Sequence, residues 1–150
     1  MPPETDTRRL KTALVDVYRI LNSSRVRDTT TRRSAVNISA VAGGVLRHVL
    51  DEGPIRPVDL AQRARLRPPA LSRHLKNLEA EGCIERVPSP GDGRGALVRV
   101  TRRGRSAIER LQQTEDQIMN EQLRDWDPHE MDQLLTLLDR LITDLRKPAP

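Results

Sequence analysis

The sequence predicts a mainly α-helical chain carrying one small β-hairpin, and three observations lead there. Between Leu60 and Gly104 two short helical patterns give way to alternating apolar periodicity. The alternation is interrupted by Pro88–Gly95, which holds three glycines and two prolines and is suited to turning rather than to a central strand. On either side, apolar residues recur at helical spacing over Leu10–Leu21 and Met131–Leu145. That order is a winged helix-turn-helix, flanked by arms that make a helical dimerisation domain.

The elements follow in chain order. Leu10, Leu14, Val17, Tyr18 and Leu21 define a first amphipathic helix, and the polar run Ser23–Arg33 reads as a loop or frayed continuation. A second helix starts at Ser39 as N-cap, turns Val41, Val45, Leu46, Val49 and Leu50 inward, and ends at Gly53. Pro57 opens the next helix, whose Leu60, Ala61 and Ala64 share a face. Pro68 opens the one after it, with Leu71, Leu75 and Leu78 as an apolar stripe. The opposite face carries Pro69, Arg73 and Lys76, flanked by Ser72 and Asn77. An apolar stripe anchors such a helix, and the far face is free to enter a major groove of DNA.

Gly82 stops that helix, and Ile84 and Val87, then Leu97, Val98 and Val100, form the two strands of the wing. Arg94 on the projecting tip suits a narrow, electronegative minor groove. Thr101 caps a long helix with Ile108, Leu111, Ile118 and Leu123. Asp127, Pro128 and Glu130 supply N-cap, N1 and N3 for the last helix, where Met131, Leu134, Leu135, Leu138, Leu141, Ile142 and Leu145 make a wide stripe. The expected organisation is residues 1–52 as N-terminal scaffold and dimerisation helices, 53–104 as the DNA-binding winged helix, and 105–150 as C-terminal dimerisation helices.

Charge is distributed to match. Residues 1–52 carry nine Lys/Arg against six Asp/Glu, 53–105 carry twelve against five, and 106–150 carry five against ten. The positive charge therefore sits on the winged-helix segment, where phosphate contacts are needed. One Tyr, one Trp and no Phe leave little to stack on single-stranded bases, which favours duplex DNA.

Other chemistries find no residues. His48, His74 and His129 lack i,i+4 partners and do not cluster with Cys83, so no metal site is expected. The glycine-rich tip has no phosphate-loop pattern, and no set of nucleophile, base and orienting group exists, so neither cofactor nor enzyme activity is expected. A single cysteine, no signal peptide and no long apolar run point to a cytoplasmic protein without membrane attachment. Tyr18 and Trp126 are expected as core or dimer-interface anchors.

Taken together, DLAQRARLRPPALSRHLKNLEAEGCIER, the wing tip GDGRG with its D-x-R pattern, and VTRRG with its T-x-x-G pattern resemble the MarR family of bacterial transcription regulators. The resemblance spans about residues 8 to 147. It implies a homodimer on short inverted repeats of double-stranded DNA that represses, or less often activates, nearby genes, and that small phenolic or other aromatic anions or oxidants release. It gives Arg73 a base or backbone contact from the recognition helix, Arg94 the minor-groove contact, and Asp92 the bracing of that arginine and the tip. Arg67, Pro69, Ser72, Lys76, Asn77 and Gly93 complete the expected DNA-binding set. The family's effector crevice, between dimerisation helices and reader, is expected here around Tyr18, Gly43 and Gly44.

Two departures from the family pattern stand out. Gly43 and Gly44 replace large apolar or aromatic residues inside the second helix, where each glycine costs about 1 kcal/mol relative to Ala. They mark a pocket wall, a close helix crossing or a kink. Arg56 and Arg67 stand where Ser or Thr usually caps the two reader helices, exchanging a capping acceptor for a cation that can serve phosphate. Oxidant-sensing relatives carry a reactive cysteine near the N-terminus, so Cys83 is expected as a buried core thiol. Competing expectations are a metal- or redox-responsive winged-helix repressor, and a dimeric protein-interaction module without DNA binding.

Overall fold

The computed structural model describes residues 1, 3–91 and 95–148. In chain order the elements are α1 (Glu4–Leu21), α2 (Ser24–Ser34), α3 (Ala40–Glu52), α4 (Pro57–Ala64), α5 (Pro68–Ala80), β1 (Ile84–Pro88), β2 (Ala96–Val100), α6 (Arg102–Gln122) and α7 (Pro128–Leu145). They fall into two compact units, Met1–Glu115 and Asp116–Pro150. Among the described residues no helix is long and apolar enough to cross a membrane.

The first unit is organised around one core. Val45, Leu46 and Val49 of α3 meet Leu60 of α4, Leu71, Leu75 and Leu78 of α5, Ile84 and Val98 of the hairpin, and Ile108 and Leu111 of α6. The two strands pair antiparallel, with Ile84 opposite Val100 and Pro88 opposite Ala96. The sheet therefore reaches one residue further toward the tip than the expected turn at Pro88. A proline is tolerated at such a strand end, where no ladder bond from its nitrogen is required. Ile55 adds a short bridge to the other edge of β2, donating to the Val98 carbonyl at 3.0 Å and accepting from its N–H at 2.8 Å. Sequence periodicity had no means of finding this single-residue strand.

The expected loop over Ser23–Arg33 is instead α2. Ser23 caps it, its Oγ accepting from the Val26 N–H at 3.3 Å, and Ala35 ends it in the left-handed region at φ 53°. Its inward residues, Thr30 and Ser34, are small hydroxyl side chains, so the buried face is real but hydropathy does not register it. Within α3, Ser39 caps as expected, accepting from Ala42 at 3.2 Å, and Ala42 rather than Val41 turns inward. Val41 is 46% exposed.

In the second unit, Asp127 and Glu130 form a reciprocal capping box at the start of α7. Neither α1 nor α7 has a buried residue in the single chain. Tyr18 is 68% exposed and Trp126 44%, so neither serves as a core anchor of the single chain.

Candidate nucleic-acid interface

The helix-turn-helix is built by two proline-led helices joined through a tight turn. Pro57 and Pro68 occupy first-turn positions, and neither Arg56 nor Arg67 makes a side-chain cap, as their side-chain chemistry requires. Arg65 ends α4 at φ 52°, ψ 42°. Its N–H donates to the Gln62 carbonyl, and the Leu66 N–H donates to Ala61, the paired bonds of a Schellman motif. An arginine thus occupies a left-handed position that glycine normally takes.

Leu71, Leu75 and Leu78 hold α5 on the core, which leaves Pro69, Ser72, Arg73, Lys76 and Asn77 exposed along one side, with Arg67 exposed at its N-cap. These six expected residues are brought together on one element. The remaining three, Asp92, Gly93 and Arg94, lie outside the described residues.

Ion pairing sorts the cations of this region in a way composition does not show. Arg86 on β1 bonds Glu79 of α5 at 2.8 Å, Arg99 bonds Glu85 across the hairpin at 2.8 Å, and Arg103 lies 4.0 Å from Glu81. Arg67, Arg73 and Lys76 have no such partner among the described residues. The paired arginines are spent on fixing the wing and the C-terminal end of α5. The three cations on the exposed side of α5 remain unpaired, as do Arg56, Arg65, Arg102 and Arg105 elsewhere in the segment, among the described residues. Asn37 adds to the first group by donating to Glu81 at 2.8 Å, a contact 44 residues apart in sequence that no local pattern announces.

The hinge between reader, wing and α6 is a close backbone crossing. Gly82, at φ 69°, and Cys83 close α5 with bonds to Glu79 and Leu78. Thr101 then donates its hydroxyl to the Gly82 carbonyl at 2.6 Å and its N–H to Cys83 at 3.0 Å, while its Oγ accepts from Gly104 at 3.1 Å. A Cβ on Gly104 would stand 2.1 Å from the Cys83 carbonyl oxygen. The thiol of Cys83 is buried as expected, and that burial pushes its pKa up.

The two expected pocket glycines part company. Gly44 and Tyr18 line a groove of about 560 Å³ together with Arg27, His48, Arg63 and Arg65. Gly43 is not brought to it: a Cβ there would face Leu111 at 3.4 Å, so this glycine serves the approach of α6 to α3.

The sequence profile described as MarR family matches residues 36–95, the stretch that contains α3, the helix-turn-helix and the first strand of the wing. The multiple antibiotic resistance protein MarR of Salmonella typhimurium is 33% identical over 104 residues, covering 69% of this chain and 72% of that protein. This chain belongs to the MarR family. Similarity extends over nearly the whole length of an HTH-type transcriptional regulator of Mycobacterium leprae, 29% identical over 147 residues and covering 98% of this chain and 99% of the relative. The crystal structure of reduced MarR from E. coli superposes with a TM-score of 0.69 at 29% identity, covering 85% of this chain and 95% of that one. The protein is therefore a DNA-binding transcription regulator of the MarR family and not an enzyme.

Proposed function

We propose that this MarR-family regulator acts as a homodimer that represses transcription from a pseudo-palindromic operator and is released by a small aromatic or phenolic anion. One observation carries the DNA-reading part: Arg67, Arg73 and Lys76 stand together on the outward side of α5, and none of the three has an ion-pair partner among the described residues. A cation already paired would forfeit that interaction to reach a phosphate; these three forfeit none. In this reading residues 53–104 contact the operator, Pro69, Ser72 and Asn77 line the same face, Arg94 reaches the adjacent minor groove with Asp92 bracing it, and Gly93 completes the DNA-binding set.

The apolar faces of α1 and α7 support the homodimer. Val17, Tyr18 and Ile20 on α1, and Leu135, Leu137 and Leu145 on α7, are exposed in the single chain, and a two-fold partner would remove them from water. The groove beside Tyr18 and Gly44 supports the effector, because cationic side chains share its lining with an aromatic ring and aliphatic groups. Effector binding would shift a two-state equilibrium in the separation of the two recognition helices. Selection from random duplex DNA tests the reading: an enriched inverted repeat is the expected result, and the absence of any enriched sequence would refute it.

A further inference from the structure

The groove beside Tyr18 contains three arginines and a histidine, and among the described residues no acidic side chain lines it. Two of the arginines are engaged. Arg27 donates to the Asn22 carbonyl, and Arg63 lies 3.7 Å from Glu52. Arg65 has no hydrogen bond or ion pair through its side chain among the described residues. The unspent guanidinium of this groove therefore belongs to the residue that ends α4 in the left-handed conformation and precedes the N-cap of α5 by two positions.

We propose that Arg65 pairs the anionic group of whatever occupies this groove, and that this pairing is how occupancy reaches the recognition helix. The proposal rests on the groove being the effector site. A guanidinium presents a planar fork of donors matched to a carboxylate, and pairing it in a groove walled partly by apolar groups strengthens the bond relative to open water. The turn that carries Arg65 is short: Leu66 lines the same groove and Arg67 is the N-cap of α5. At its far end α5 is tied through Glu79 to Arg86 and through Glu81 to Asn37. With that end fixed, a change in the turn moves the N-terminal half of α5, where Pro69, Ser72 and Arg73 lie. Arg65 is thus a positioning residue, since a ligand shifts an equilibrium only through a contact that differs between its two states.

The full-length protein with benzoate as probe and benzyl alcohol as neutral control tests this. Calorimetry reads benzoate binding, and fluorescence anisotropy reads the affinity for the selected duplex with and without saturating benzoate. In the parent, benzoate binds, benzyl alcohol does not, and duplex affinity changes about fivefold or more, the lower end of allosteric couplings. Arg65→Gly suits the left-handed backbone and removes the cation, so its ratio of affinities with and without benzoate falls to near one, while Arg65→Lys restores part of the parent's ratio. An Arg65→Gly protein that responds as the parent does overturns the proposal while leaving the groove reading intact. Gly44→Leu, whose side chain enters open space beside the groove, separates the two questions. A parent that binds no benzoate, or a Gly44→Leu protein that still binds it fully, overturns the groove reading and this proposal with it.

Discussion

Replacing Gly104 by Ala sets a single methyl group against the hinge that joins reader, wing and α6. The added Cβ would lie 2.1 Å from the Cys83 carbonyl oxygen, 2.8 Å from Val100 Cγ2 and 3.0 Å from the Cys83 carbonyl carbon. Relief requires the two backbones to separate by more than an ångström, and that carbonyl is the acceptor for Thr101 at 3.0 Å. Overpacking costs about 1–3 kcal/mol, a broken hydrogen bond about 1, and a disturbed Thr101 cap about 1. Better helix propensity returns at most about 1 kcal/mol. The expected net loss is roughly 2–4 kcal/mol, dominated by overpacking and broken hydrogen bonds.

Urea denaturation followed by far-UV circular dichroism measures that loss at a fixed protein concentration, as a lower midpoint. Gly44→Ala is the internal control: nothing lies within 4 Å of its added Cβ, so helix propensity should raise stability by up to about 1 kcal/mol. Gly43→Ala, meeting only Leu111 Cδ1 at 3.4 Å, should fall between the two. A Gly104→Ala protein as stable as the parent would show the crossing to be looser than its distances require, because no side-chain rearrangement can move a backbone carbonyl out of the way.

Three further outcomes are expected. Arg73→Ala should weaken binding of the selected duplex by about 1–3 kcal/mol if it reads a base, and should relax discrimination at one operator position, as a titration against single-base variants will read out. Ser39→Ala removes the acceptor for the Ala42 N–H and should lower stability by about 1 kcal/mol in the same urea assay. Cys83 has a folded-state pKa raised, first by burial, above its ordinary 9.0. Its protonated form is favoured by the fold, so this contribution is complete below that value and is lost as pH climbs beyond it. Cys83→Ala should flatten the alkaline fall in melting temperature, and an unchanged fall would show that another group is responsible.

Much of the reader was legible because its residues obey local rules. Pro57, Pro68, Gly82 and Thr101 punctuate the chain where backbone chemistry demands, and the Leu71, Leu75, Leu78 stripe fixes which side of α5 faces outward. What escaped was either carried by polar residues or decided at long range. Helix α2 was hidden because Thr30 and Ser34 bury hydroxyl-bearing side chains that a hydropathy pattern counts as exposed. The division of arginines into paired and unpaired depends on Glu79, Glu81 and Glu85 meeting particular partners in space. The adjacent glycines 43 and 44 look alike in sequence, and only the position of Leu111 on one side and the groove on the other gives them different work.

If the outward side of α5 meets DNA phosphates through Arg67 and Lys76, removing those two charges must change how binding responds to salt. Fluorescence anisotropy across a salt series reads this for the parent and for a protein carrying Arg67→Gln and Lys76→Gln. The logarithmic slope should become shallower by about 0.9 for each phosphate that is no longer neutralised. A slope equal to the parent's would contradict the assignment, since it would leave those two cations as ordinary solvated charges.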